Sequence, residues 1–485
     1  MKKRGLFAAL ILLICVICAF SGCAMGKYIV DVSYETVDNG TVAVYTYSDG
    51  STSQHLIERG RDGLDGKDGQ SVTAQSVYEQ WLEKNGLTDT TENYNAFLTS
   101  LGLDLSADNS QAVQSSLHSV ATLYCEYIYS QKSYYPSGTS YAAGMSIGTA
   151  FIYESEEEKN GYTYLVTNAH VVYCANADKA ANGNSYYPKK IHCFLYGSFD
   201  HEKVYGSSGQ IDPTYHYVIP QYSSYAVQCE LVGACLSADL AVVRAKTADL
   251  KAINPDIEAV TLADTYYAGQ SVYTVGNTEA HGFSATQGII SVDNEDITLA
   301  IDNTNRTYRS LRFDGFIYEG NSGGALFNAR GQVVGVVNAG DATFSNMNYA
   351  IPLEIFRAVV PNLIDNFNGS APSSVTTSSL GVSVSLENAR YIYDAAAGYG
   401  KIHENVTVKA VSQGSLAERM GVAANDRLTA LIIDGTRHEI CRSFAISDAM
   451  YCLRDGSTLQ VEVIRNETTQ TLQCTVSAAD LSNVA

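Results

Sequence analysis

The stretch 323–340, "GGALFNARGQVVGVVNAG", sets the tightest limit on what this chain can fold into. Two short apolar runs flank a polar turn at Asn328 to Gly331. Runs so short, rich in valine and bounded by Gly and Asn, read as buried strands rather than helices. Similar runs punctuated by Gly, Asn and Asp lead in from 108–153 and continue to about residue 350, so this region is β-rich. With 485 residues the chain is too long for one ordinary core and divides into several domains.

Elsewhere the pattern changes. Residues 28–57 alternate in a strand manner, with hairpin-turn signals at Asn39-Gly40 and Asp49-Gly50, and predict a small β-meander. "GRDGLDGKDGQ" then spaces Gly60, Gly63, Gly66 and Gly69 by three, too few triplets for a triple helix, so it reads as a polar hinge. Residues 74–103 are helical in pattern, each of two segments closed by a glycine. The small-polar run "NGSAPSSVTTSS" at 368–379 reads as a linker before a last block of mixed strands and helices at 380–478.

The formal charge of −20, with no Lys/Arg run beyond the first four residues, argues against a nucleic-acid partner. At the N-terminus, Lys2, Lys3 and Arg4 precede the apolar run Leu6 to Phe20 and then "SGC", the layout of a secretory signal. "FSGCAM" resembles a bacterial lipobox, although Phe20 stands where an aliphatic residue is usual. That resemblance implies a lipid on Cys23 and an extracytoplasmic protein anchored to a bacterial membrane. Setting aside Cys15, Cys18 and Cys23 leaves Cys125, Cys174, Cys193, Cys229, Cys235, Cys441, Cys452 and Cys474, with no CxxC and no zinc spacing. No metal or cofactor is expected. His192, Cys193 and His201 fall in a Tyr-rich stretch that reads as surface.

"YEGNSGGALFN" (318–328) places Ser322 between glycines. Gly, Asn and Ser are ordinary turn residues, so this alone is a turn as readily as a nucleophile. A serine hydroxyl needs a base to take its proton and a third group to orient that base. Among nine histidines, His170 has the most informative setting: "YTYLVTNAHVVYC" runs as a strand and presents the imidazole just beyond its end. "GACLSADLAVVRA" places Asp239 at the entry to an apolar strand, where a carboxylate needs hydrogen bonds or reads as a loop cap. The order His170, Asp239, Ser322 is that of the chymotrypsin-type triad.

Here "TNAHVV", "ADLAVV", "GNSGGAL" and "NYAIP", with "GTAFIY" upstream, resemble the landmarks of HtrA-type trypsin-like serine proteases over roughly residues 110–365. The resemblance implies a mainly β, chymotrypsin-like double β-barrel, with His and Asp from the first barrel and Ser from the second. It implies an oxyanion hole from the amides of Gly320 and Ser322. Asn321 cannot form the ion pair that activates digestive zymogens, so no activating cleavage is expected, and loops such as 174–226 would order on substrate binding. Ile317 would line the primary specificity pocket and favour small or medium apolar side chains. Extended substrates would pair along Val336, Val337, Asn338 and Ala339. The base must be neutral, so activity should fall on acidification through a group near 6.5.

"SLGVSVSLE", "VTVKAVSQGSLAERMGVAANDRL" and "SFAISDAMYCLRDGSTLQVEVIR" resemble a PDZ domain, an α+β fold. Leu380, Gly381 and Val382 would then form the loop that holds a peptide C-terminus; the alternative is that the block packs on a neighbouring subunit without binding termini. The resulting organisation is a signal peptide (1–22), a β-hairpin segment and hinge (23–72), a short helical segment (73–107), a protease domain (108–367), a linker (368–379) and a PDZ-like domain (380–480). The expected activity is a membrane-anchored endopeptidase acting on unfolded or exposed polypeptides, in protein quality control or stress response, with a homotrimer as the family's common assembly. The alternatives are a non-cleaving chaperone or scaffold and a small-ester hydrolase.

Overall fold

The computed structural model describes residues 29–37, 40–47, 50–58, 74–88, 109–134, 137–197, 205–278, 282–301, 303–341, 343–395 and 397–484. The chain forms two units, residues 1–101 and 102–485. In the first, the alternating pattern yields an antiparallel sheet of β1 (Ile29–Val37), β2 (Gly40–Tyr47) and β3 (Thr52–Glu58). Helix α1 (Ala74–Asn85) follows, its Tyr78 and Leu82 buried with Trp81 against them. The expected second helical segment, the glycine-spaced hinge and Cys23 lie outside the described residues.

In the second unit, α2 (Ser110–Ser116) leads into a closed six-stranded barrel. Its strands are β4 (Val120–Tyr134), β5 (Ser137–Glu156), β6 (Tyr162–Thr167), β7 (Lys190–Leu195), β10 (Val227–Cys235) and β11 (Leu240–Lys246). A side hairpin, β8 (Tyr205–Ile211) with β9 (Val218–Tyr222), intervenes before β10. The second barrel follows α3 (Thr247–Ile253). It comprises β13 (Ser271–Asn277), β14 (Phe283–Ala300), β15 (Asn305–Phe313), β16 (Ala325–Asn328), β17 (Gln332–Gly340) and β18 (Asn348–Pro352). Pairing of β17 with β18 returns this sheet on itself, and β12 (Thr261–Leu262) adds parallel to β17. The expected double barrel is thus what the chain forms, because each apolar run buries itself between two neighbours.

Helix α4 (Leu353–Asp365) closes the barrels, burying Phe356, Val359, Val360 and Leu363 in the apolar cluster that also takes Phe151, Val242 and Phe327. Then comes β19 (Val375–Thr377), which pairs with the last strand, β26 (Ser482–Val484). The C-terminal block has its own core under the sheet β20 (Val382–Asp394), β21 (Tyr399–Val411), β22 (Arg427–Ile433), β24 (Thr458–Arg465), β25 (Thr468–Thr475), with β23 (Thr436–Glu439) on β22. Its helices are α5 (Leu416–Met420), capped by Ser415 and ended by Gly421 in the left-handed region, and α6 (Phe444–Met450).

Two expectations change here. The 368–379 segment is stitched down rather than free: Ser373 N donates to Val232 O at 2.7 Å, and Ser373 Oγ donates to Leu363 O at 2.6 Å. The glycine at 233 on β10 permits this, since any side chain there would collide with Ser373 Oγ. The stretch around His192 and Cys193 is not surface either. It is barrel strand β7, with Cys193 fully buried and His192 stacked on Tyr222. His201 lies outside the described residues. All eight cysteines from Cys125 onward are free thiols.

Candidate active site

Strand β6 ends at Thr167, and Asn168, extended, turns the chain into one 3-10 turn, Ala169–Val171. Ala169 and Val171 are buried, so the turn is anchored on both sides of His170, whose ring stays 31% exposed. Asp239 ends the hairpin between β10 and β11 at φ +50°, a left-handed conformation that Asp tolerates better than most residues. It is fully buried, and both carboxylate oxygens are committed to His170. His170 N donates to Oδ1 at 2.9 Å, and the ring Nδ1 lies 2.8 Å from Oδ2. Asn168 Nδ2 donates to the Asp239 carbonyl at 2.9 Å and holds the hairpin in place. Asp239 is therefore no mere loop cap. A carboxylate facing Nδ1 keeps the proton there and leaves Nε2 as the basic nitrogen.

Burial pulls the His170 imidazole down, and the charge and hydrogen bond of Asp239 outweigh it, so the group titrates above its ordinary value of 6.5. This moves the expected midpoint upward from the unperturbed one.

Ser322 sits at the junction of the barrels. Its carbonyl accepts from Thr149 N on β5 at 2.9 Å, and the next residue, Gly323, donates to Val337 O at 2.9 Å. Gly323 has φ +84°, and a Cβ there would come within 2.2 Å of Thr167 Oγ1 and 3.0 Å of Asn168 N. Only glycine lets the serine turn close on the end of the strand that presents His170. Upstream, Asn321 N donates to Tyr318 O at 3.1 Å and Gly320 has φ +98°, a type II turn with its obligatory glycine. Thr149 Oγ1 donates to Gly320 O at 2.6 Å, fixing that turn from the other barrel. Among the described residues, no acceptor meets the amide of Gly320 or of Ser322. Asn321 is buried, with Oδ1 accepting from Thr278 Oγ1 at 3.4 Å.

The Ser322 hydroxyl donates weakly to the Asn338 carbonyl, at 3.4 Å, and no hydrogen bond joins it to His170 in this resting geometry. Ile317 packs on the edge of the main apolar cluster. The pairing surface expected along Val336 to Ala339 is shorter than the sequence suggests. Val336 pairs with both Ala325 and Ile351, and Val337 exchanges hydrogen bonds with Gly323 and Gly324 while pairing Ala350. Their main chains are taken by the barrel, and Asn338, at a register shift beside Ser322, is buried with its carbonyl meeting the Ser322 hydroxyl. Sequence reading missed Thr149 and Asn168. Both lie in the quoted strand motifs, but their roles depend on the contact between barrels.

Leu380 is buried and its carbonyl accepts from Ala417 N at the start of α5, while Gly381, at φ +79°, accepts from Ser412 N. Val382 opens the edge strand β20. Among the described residues no group of three or more His, Cys, Asp or Glu is poised to hold a metal. A cleft of about 480 Å³ lined by Ile152, Glu156 to Lys159 and Lys251 includes none of the triad residues.

The family of trypsin-like peptidase domains matches residues 148–336. Serine protease Do-like HtrB of Bacillus subtilis (strain 168) is 28% identical over 267 residues, 53% of this chain and 55% of that protein. The serine protease HtrA-like protein of Staphylococcus aureus (strain MRSA252) is 25% identical over 299 residues, 59% of this chain and 32% of that protein. The chain thus spans about half the length of the first of these relatives and a third of the second. The solved HtrA-type protease AlgW with decapeptide aligns over 78% of this chain and 99% of its own, at 22% identity and a TM-score of 0.43. This chain carries a trypsin-like peptidase domain at residues 148–336, and its relatives include HtrA-type serine proteases.

Proposed function

We propose that this chain is a serine endopeptidase that cuts exposed or unfolded polypeptide through an acyl-enzyme at Ser322. The observation that carries the reading is the commitment of both Asp239 oxygens to His170, which fixes Nε2 as the base. The mechanism requires the Ser322 side chain to rotate away from Asn338 and bring Oγ to that nitrogen. Oγ then attacks the scissile carbonyl carbon while its proton passes to His170 Nε2. The developing oxyanion takes the free amides of Gly320 and Ser322. On collapse the C–N bond breaks and His170 returns the proton to the leaving amine. Water, deprotonated by the same imidazole, then attacks the acyl carbon, the bond from that carbon to Ser322 Oγ breaks, and His170 returns the proton to Oγ. Nothing in this sequence of steps calls on a metal.

The C-terminal block is proposed to bind a peptide C-terminus between β20 and α6. In support, Leu380, Val382 and Val384 share one apolar cluster with Ile446 and Ala449 of α6, and β20 has a free edge. Membrane attachment through Cys23, an extracytoplasmic site, a quality-control role and a trimeric assembly belong to the same proposal and rest on the sequence resemblances. A second reading, a non-cleaving chaperone, draws on the Ser322 hydroxyl facing Asn338 rather than His170. Digestion of a denatured protein by the wild type and by Ser322→Ala decides between them. Fragments from the wild type alone establish the protease, whereas suppression of aggregation by both with fragments from neither establishes the chaperone.

A further inference from the structure

Asp239 is the last residue of a tight turn, Leu236 to Asp239, between Cys235 of β10 and Leu240 of β11. Cys235 and Leu240 are the final cross-strand pair, and Ala238 N donates back to Cys235 O at 3.3 Å. That is little backbone pairing for a turn that carries a buried carboxylate at φ +50°. A left-handed aspartate persists only where its surroundings over-determine it. Here they do so from two directions. Asn168 Nδ2 holds the Asp239 carbonyl, and two tyrosines from outside the first barrel grip the residues that precede it.

Tyr308 is buried on β15 of the second barrel, and its hydroxyl donates to Leu236 O at 2.7 Å. Tyr451 belongs to the C-terminal block, where it directly follows α6. Its ring packs on the apolar cluster that holds Cys235 and Ala238, and its hydroxyl shares a hydrogen bond with the Ser237 side chain. Ser237 Oγ in turn lies 3.2 Å from Cys235 Sγ. The main chain of Tyr451 is itself anchored. Its carbonyl accepts from Asn362 Nδ2 at 2.8 Å, and the same amide donates to Thr376 O at 2.7 Å. Asn362 is fully buried on α4. A phenylalanine at either tyrosine position would fill nearly the same space, so the hydroxyls add a directed hold that packing alone does not require.

We infer that Tyr308 and Tyr451 are positioning residues for the proteolytic reaction, holding the Leu236–Asp239 turn so that both Asp239 oxygens stay on His170. This rests on the protease reading of Ser322. It makes the C-terminal block a part of the catalytic centre, apart from any peptide it binds. Cys235 is the other titratable group beside the aspartate; burial pushes its thiol up, so it stays uncharged and leaves Asp239 to raise the titration of His170.

The test compares Tyr308→Phe, Tyr451→Phe and Ser237→Ala in the full-length protein. Peptide hydrolysis is followed as a function of pH, together with the rate of fluorophosphonate labelling of Ser322. Each variant should lower kcat about tenfold with KM nearly unchanged, as expected when a reacting group is slightly misplaced. The midpoint of the kcat/KM profile should also fall toward 6.5, because an aspartate that drifts from the imidazole raises it less. A loss of folding stability alone would not move that midpoint. Placed on Asp239→Asn, the same substitutions should change the labelling rate by less than about twofold, since the group they position is gone. Wild-type kcat and midpoint in both tyrosine variants would overturn the inference. So would an undiminished loss on the Asp239→Asn background, which would assign the tyrosines to the fold and not to the aspartate. A wild type that neither cleaves nor labels would remove the protease reading and this inference with it.

Discussion

At the scale of single residues, the site rests on what Asp239 does to His170. The imidazole titrates above 6.5 because the carboxylate outweighs burial. Activity needs the neutral ring, so kcat/KM should rise with pH through a midpoint above 6.5, and a flat profile from pH 5 to 8 would contradict His170 as the base. Stability runs the other way. A folded-state value raised above the unfolded one adds stability that is fully present below 6.5 and is lost as pH rises through the folded value. Asp239→Asn should cut kcat/KM by about 10⁴ and leave the melting temperature close to that of the wild type, measurable by steady-state kinetics beside calorimetry. The three triad residues were legible in the sequence because each sits in a short motif at the end of a strand. Thr149 and Asn168 were not, since what they hold depends on contacts between strands distant in sequence.

At the scale of elements, the glycines of the serine turn act on the seam between barrels. Gly323→Ala would set a Cβ 2.3 Å from the Thr149 carbonyl and force φ +84° on an alanine. Overpacking and left-handed strain together predict a loss of about 3 kcal/mol, read by urea denaturation, along with loss of activity. An unchanged midpoint would show that the barrels do not close as described. The sequence placed the strand regions well, because valine-rich runs between Gly, Asn and Asp permit little else. It misjudged β7, whose Tyr, Lys and His neighbours look like a surface loop. There Cys193 and Phe194 point into separate apolar clusters on the two faces of the strand. It also read 368–379 as a linker. Small polar residues signal flexibility when nothing covers them, yet the same smallness lets Ser373 enter a groove beside Gly233.

At the scale of the whole second unit, the C-terminal block is held to the barrels by the helix that would line its peptide groove. Arg309 of β15 meets Asp448 of α6 at 2.6 Å and lies over the Phe444 ring, and both charged groups are nearly buried. Burial pushes the Asp448 carboxyl up to about 6, while Arg309 stays charged. Here a carboxyl is raised, so its contribution to stability is fully present below its unfolded value near 3.8 and is lost as pH rises through about 6. Urea midpoints at pH 5 and pH 7 should therefore show a larger gain on acidification in the wild type than in Asp448→Asn, which keeps only the His170 contribution. An equal gain in both proteins would take Asp448 out of the account. Asp448→Ala, which strands the guanidinium, should cost about 3 kcal/mol and speed proteolytic nicking between the barrels and the C-terminal block.

The central claim, that Ser322 is a nucleophile served by His170 and held by Asp239, is tested most directly by the fluorophosphonate reaction of the folded protein. Wild type, Ser322→Ala and His170→Ala would be compared, each with and without a denatured protein present. The account predicts covalent labelling of the wild type at Ser322, none of Ser322→Ala, and a rate for His170→Ala lower by orders of magnitude. Labelling that appears only with the denatured protein would place the rotation of Ser322 toward His170 under substrate control. Failure of the folded wild type to react in either condition would contradict the account and leave the chaperone reading in its place.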